Sequence, residues 1–113
     1  MLHYFDWEGE QGALHTSIAD VFGQLAKQYT LNQGVEEADW ICGAGLLAPA
    51  INGVGLRSLK APGTAYDDRI LRQDPQPAHM CNYVRTRKDQ GGIHINSGIP
   101  NHAFYLVAER LGG

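Results

Sequence analysis

At 113 residues, 43% hydrophobic and 19% charged, with a formal net charge of −3, the chain has room for one soluble globular domain at most. Nine Lys and Arg against twelve Asp and Glu leave no positive excess for nucleic acid, and the one short basic cluster, RTRK at 85–88, is followed at once by Asp89. The longest weakly polar run, AGLLAPAINGVGL from Ala44, is too short to span a bilayer and is broken by Pro49, Asn52 and glycines.

In chain order, MLHYFDWEGE carries Asp6, Glu8 and Glu10 where a secretory signal needs a basic start and an apolar core, so an exported protein would begin upstream of this signal-free chain. In ALHTSIADVFGQLAKQYTL, residues Leu14, Ile18, Val21, Phe22, Leu25 and Tyr29 recur every three or four positions, which predicts a helix with one apolar face. From Gly34 to Gly98 lie nine of the fourteen glycines, and all five prolines fall between 49 and 100, so long regular elements are not expected there beyond a short helix near Asp74 to Tyr83. A connection of this length suggests either functional loops or a segment of a larger protein, and the second is the expectation. Cys42 and Cys81 lack close-spaced partners and could be free thiols or one bridge.

GGIHINSGIPNHAFYL follows. Gly91 and Gly92 permit backbone angles closed to other residues, and Asn96 and Ser97 favour turns and caps, so His94 is expected in a fixed loop at a helix approach. A lone loop histidine is more often a packing or surface residue than a catalyst. A second helix is predicted from Pro100, setting Phe104, Val107, Ala108 and Leu111 on one side before Gly112 and Gly113 end it.

The run GGIHINSGIPNHAFYLVAERLGG resembles the stretch that thermolysin-type neutral zinc metalloproteases carry after their metal site, and the protealysin branch most of all. The likeness extends back through INGVGLRSLKAP, AYDD, ADWICG and GALHTSIADVFGQL, covering roughly residues 7 to 113 in the family's order. It implies a mainly α fold: part of the family's helical C-terminal lobe, with long ordered loops, occupying residues 1–113 without the β-rich N-terminal lobe or the helices that close the C-terminal one. It also implies roles. His94 matches the histidine that donates to the tetrahedral intermediate, and Asp89 the aspartate that orients its imidazole. Arg57 matches the arginine that holds a substrate carbonyl beyond the scissile bond, and Leu56 a wall of the apolar specificity pocket. Without the match, a surface salt bridge and a core leucine would be the simpler readings of these two.

The departures fall on the chemistry. A catalytic zinc needs three protein ligands, and the family takes two from a helical HExxH that this chain does not contain. The five histidines, at 3, 15, 79, 94 and 102, include no pair at i, i+4. Where the family has Asn-Glu, with the glutamate as third ligand, this chain has His15 and Thr16; a helix turns about 100° per residue, so His15 does not simply replace the missing carboxylate. Asp20 matches a residue that supports a zinc-binding histidine, with a solvent-facing aspartate as the alternative, and Trp7 stands where the family has an oxyanion-donating tyrosine. Lys27, Ile41 and Ala44 replace acidic calcium ligands and leave Asp39 nearly alone. No cofactor is therefore expected in this chain, against zinc and calcium in the family. The family acts on peptides or proteins and is usually secreted. The expected function is a truncated, degenerate portion of a metalloendopeptidase, inactive as this chain alone. Alternatives are a peptide- or protein-binding module, or one half of a peptidase completed by another chain. Self-association or docking on a missing lobe is expected either way, with no nucleic acid and no membrane.

Overall fold

The computed structural model describes residues 7–112, so Asp6 of the acidic start and the final Gly113 lie outside it. The element order is α1 (Gly9–Leu31), β1 (Ile41–Cys42), β2 (Arg57–Ser58), β3 (Asp67–Asp68), β4 (Arg72–Gln73), a 3-10 turn (Met80–Asn82), α2 (Asp89–Gly92) and α3 (Gly98–Leu111). The architecture is thus mainly α with long ordered loops. The strands form two antiparallel pairs, Ile41 opposite Ser58 with Cys42 opposite Arg57, and Asp67 opposite Gln73 with Asp68 opposite Arg72. Of the short helix expected near Asp74 to Tyr83, only the 3-10 turn Met80–Asn82 forms, because Pro75 and Pro77 remove backbone donors ahead of it.

Both long helices end on a left-handed residue, Asn32 at φ 54° and Gly112 at φ 74°, whose N–H groups return to carbonyls of the last turn. Pro100 lies within the first turn of α3, where its missing N–H leaves no helical bond unmade. The core is small. Trp40, Leu59 and Tyr105 are buried together, with Val21, Val35, Ala38 and Phe104 packed against them. Trp40 meets Tyr105 edge-on at 5.2 Å between ring centroids and donates its indole N–H to the Val35 carbonyl at 3.1 Å.

Of the face that its apolar periodicity marks, α1 packs only Val21 against the core. Leu14, Ile18, Leu25 and Tyr29 are exposed, and Phe22 is 67% exposed. The inward face is instead Gly12, Ala13, Ser17, Asp20 and Gln24. A helix can turn a polar stripe inward when every group on it finds a partner. Ser17 and Asp20 do so fully, and Gln24 through its Nε2, while its buried Oε1 accepts no hydrogen bond among the described residues. At Gly12 the helix runs against the start of the His94 loop, and any Cβ there would collide with Ile93 and the Trp7 carbonyl. Among the described residues no helix is long and apolar enough to cross a membrane.

Candidate functional site

Two polar assemblies meet at one cavity. The first is centred on Asp20, which is 7% exposed. Its Oδ2 accepts hydrogen bonds from Arg57 Nε at 2.8 Å and Asn101 Nδ2 at 2.9 Å, and its Oδ1 accepts one from Arg57 Nη2 at 2.7 Å. Ser17 Oγ donates to Asn101 Oδ1 at 2.7 Å, joining α1, β2 and α3 through side chains alone. The pairing of β1 with β2 brings Arg57 to α1, because Gln24 of the helix also anchors β1 by donating to the Ile41 carbonyl at 2.8 Å. The bond to Asp20 strengthens the hold of the guanidinium on its proton, raising its pKa although burial acts the other way. Cys42, opposite Arg57, has its thiol pushed up to about 11, chiefly by burial and then by the negative charge of Asp20. Both cysteines are free thiols, Cys81 being exposed.

The second assembly holds His94. Asp89, Gln90, Gly91 and Gly92 have φ of 54°, 52°, 87° and 81°, one turn of left-handed helix. Glycine enters this region without penalty, whereas each ordinary residue costs about 1–2 kcal/mol. The turn returns Asp89 to the residue five positions later. Its Oδ2 accepts the His94 backbone N–H at 2.7 Å, and its Oδ1 lies 2.6 Å from His94 Nδ1. A carboxylate only accepts, so Nδ1 carries the proton and Nε2 is the ring nitrogen left to face a ligand. Gln76 closes the other end of the residue, donating from Nε2 to the His94 carbonyl at 2.7 Å and to Ser97 Oγ at 2.9 Å. Gln76 is in turn held by Asp74, whose carboxylate accepts the N–H groups of Gly63, Ala65 and Gln76.

Between the assemblies lies a cavity of about 310 Å³ with apolar walls from Leu56, Tyr66, Leu71, Pro75 and Ile95, and with Arg57, Asp74, Gln76 and His94 at its polar points. The His94 side chain is 57% exposed, and Leu56 is 41% exposed, so the histidine is open to a ligand and the leucine is not a core residue. A larger cavity of about 580 Å³ beside Trp40 and Glu109 contains neither histidine nor arginine.

The structure therefore brings Leu56, Arg57 and His94 to one cavity, with Asp89 behind His94 and Asp20 behind Arg57. Asp20 is not a solvent-facing aspartate: it lies on the inward side of α1 between Ser17 and Gln24 and is held there by Arg57 and Asn101. Sequence reasoning passed over Ser17, Gln76 and Asn101. The spacing of Ser17, Asp20 and Gln24 by three and four positions was the available signal, since it marks a polar helical stripe as regular as the apolar one.

The donors do not fit a zinc ion. Thr16 turns its hydroxyl back to the Gly12 carbonyl at 3.1 Å, the His15 ring lies against Trp7 at 4.4 Å between centroids, and Asp20 is already shared by Arg57 and Asn101. Among the described residues no three His, Cys, Asp or Glu side chains come together as a metal site. The set around Lys27 does not fit calcium either. Its ammonium lies 2.7 and 2.8 Å from the two Asp39 oxygens and donates to the Ile41 carbonyl, so the chain supplies its own cation there.

Residues 3–113 match the family model for the thermolysin metallopeptidase α-helical domain. The chain is 62% identical over 104 residues to an extracellular metalloprotease of Pectobacterium carotovorum subsp. carotovorum, covering 92% of this chain and 30% of the relative. It is 61% identical over 104 residues to an extracellular minor metalloprotease of Serratia marcescens, with the same coverage. Among solved structures, the protealysin precursor, a metalloproteinase from Serratia proteamaculans, superposes with a TM-score of 0.94 at 58% identity, over 96% of this chain and 34% of that one. The chain thus spans about 30% of the length of the curated relatives it matches. With that match over nearly its full length, and with its helical fold, the chain belongs to the thermolysin-type metallopeptidases, whose α-helical domain it carries.

Proposed function

We propose that this chain is a portion of a thermolysin-like metalloendopeptidase that forms one wall of a peptide-binding cleft and does not hydrolyse peptides by itself. The observation that carries the reading is the convergence of Arg57, Leu56 and His94 on one cavity of about 310 Å³. In this reading Arg57 donates to a peptide carbonyl and Leu56 lines the pocket for the adjoining side chain. His94, when protonated, has an N–H at Nε2 to give to the oxygen on which negative charge develops, while Asp89 holds Nδ1. These are auxiliary groups. Losing one such donor costs about 10²- to 10³-fold in rate, whereas a missing nucleophile leaves nothing to accelerate.

The exposed apolar stripe of α1 supports a companion reading, in which this surface docks on a larger assembly or on a second copy of the chain. A binding module that grips peptide without cleaving it uses the same cavity and differs only in the missing chemistry.

The test is peptidase activity of the purified chain on casein and on a furylacryloyl dipeptide, with and without added zinc and calcium, beside peptide binding followed by NMR. No turnover, together with shifts confined to the cavity residues, is the expected result. Turnover blocked by phenanthroline and abolished in His94→Ala would overturn the inactive assignment. Peptide-induced shifts absent from the cavity would overturn the binding one.

A further inference from the structure

Arg57 uses only one edge of its guanidinium on the protein. Nε and Nη2 are committed to Asp20, and among the described residues Nη1 makes no hydrogen bond. The orientation of that edge decides where Nη1 points, and it is set by the plane of the Asp20 carboxylate. A carboxylate bound only to an arginine can still tilt with it, since the two move as one planar pair. Here Oδ2 is held a second time, by Asn101 Nδ2, from a different helix.

The Asn101 amide is itself fixed. Asp20 Oδ2 can only accept, so the NH₂ must face it, and Oδ1 then faces the Ser17 hydroxyl, whose proton it takes at 2.7 Å. Asn101 is 0% exposed and Ser17 5%, so neither amide nor hydroxyl has water as an alternative partner. Each member has one role available: Ser17 donates to Asn101, Asn101 donates to Asp20, and the row ends on the Asp20 carboxylate, which also accepts both bonds from Arg57. Cys42, a neutral thiol, also faces Asp20, and the Asp74 carboxylate faces Arg57 from the same cavity.

We propose that Asn101, seated by Ser17, is the positioning residue for Arg57: it fixes the plane of the Asp20 carboxylate, and that plane aims the unpaired Nη1 edge into the cavity. The inference rests on Arg57 being a ligand donor, but the positioning it describes is measurable without any ligand.

The experiment uses the full chain and its Arg57 Nε–H signal in NMR. In Asn101→Leu, which keeps the shape and removes the amide, and in Ser17→Ala, Arg57 Nε–H exchange with water is expected to quicken by about tenfold, the size of one lost bond to a charged group. A Trp40→Phe variant, which weakens the core away from the row, is expected to leave it unchanged. Asn101→Asp supplies a signature that a merely structural role lacks. Its carboxyl can donate to Asp20 only when protonated, so exchange relative to wild type at the same pH should be restored at acid pH and quickened at neutral pH. In parallel, binding of acetyl-glycyl-leucine amide should weaken about tenfold in Asn101→Leu and Ser17→Ala. Unchanged Arg57 exchange in a folded Ser17→Ala or Asn101→Leu protein overturns the proposal. If the wild-type chain binds no peptide, the ligand role of Arg57 fails, while the exchange arm still decides whether Asn101 positions it.

Discussion

Arg57 and Asp20 stand 37 positions apart and meet through two parallel hydrogen bonds of 2.8 and 2.7 Å, with Asp20 almost fully buried and Arg57 partly open to the cavity. Such a pair is more than a surface contact. If the carboxylate is removed, a partly buried cation is left without its counter-charge, and Asn101 and Ser17 lose the acceptor that orients them. Asp20→Ala is expected to destabilise the chain by about 2–4 kcal/mol, below the full range for buried pairs because the guanidinium can reach water. Urea unfolding of both proteins measures this; a loss under about 1 kcal/mol would place the pair with ordinary surface ion pairs.

The left-handed turn offers an opposite test. Gln90 holds φ 52° with an ordinary side chain and is exposed. Gln90→Gly removes the Cβ clash and is expected to stabilise by about 0.5–1 kcal/mol, the clash relief being partly offset by the looser unfolded chain. Thermal melts should show a higher Tm; a lower one would mean that the Gln90 side chain contributes more than its conformation costs.

The cysteines should separate by reactivity. Exposed Cys81 is expected to react with Ellman's reagent at once at pH 8, and Cys42 only slowly, because its thiolate is disfavoured up to about pH 11. The same shift fixes a pH dependence. An unfolded thiol releases its proton near 9.0 while the folded one keeps it to about 11, so across that window the unfolded chain holds fewer protons and stability falls as pH rises. Cys42→Ala should flatten the decline between pH 9 and pH 11. An identical slope in both proteins would count against the assignment.

The outward apolar stripe should govern solution behaviour. Ile18 is 53% and Phe22 67% exposed, so either side chain can bury substantial area in a contact between copies. Burial of such a side chain is worth about 1.5–3 kcal/mol, so Phe22→Glu should weaken association more than tenfold while leaving Tm nearly unchanged. Sedimentation velocity over a concentration series reads both proteins. A wild-type chain that stays monomeric at high micromolar concentration would rule out this surface as a self-contact.

For metal, equilibrium dialysis is expected to leave zinc no tighter than at a generic surface histidine, and Thr16→Glu alone should not change that. One added carboxylate does not supply three ligands, and no two histidines of the sequence are spaced i, i+4. Stoichiometric zinc lost on His15→Ala would point to a donor set centred on that residue.

How much of this was legible in the sequence depended on distance along the chain. Helical periodicity is a local property, and it located α1 and α3 to within a few residues of their observed starts at Gly9 and Gly98. Which side of α1 turns inward is not local. It depends on Asn101, Arg57 and the Ile41 carbonyl, none of them within the helix. The roles proposed for Arg57, Leu56, His94 and Asp89 came only through resemblance, because a single arginine or histidine has no distinguishing pattern of its own. Asn101 and Gln76 were not readable at all. Asparagine and glutamine usually signal surface or turn, and here their burial is explained only by partners that folding brings to them.

The reversal of α1 also bears on which wrong structures compete with this one. Because its outward side is greasier than its inward side, rotating the helix about its own axis would bury Ile18 and Phe22 and release Ser17, Asp20 and Gln24 to water. Hydrophobicity alone favours that rolled arrangement. What opposes it is directional: a fork-shaped cation, an amide and a hydroxyl that match only one face of the helix. The polar row is therefore a registration key for the fold, and damage to it should yield a compact chain with the helix wrongly rolled rather than a simple loss of structure.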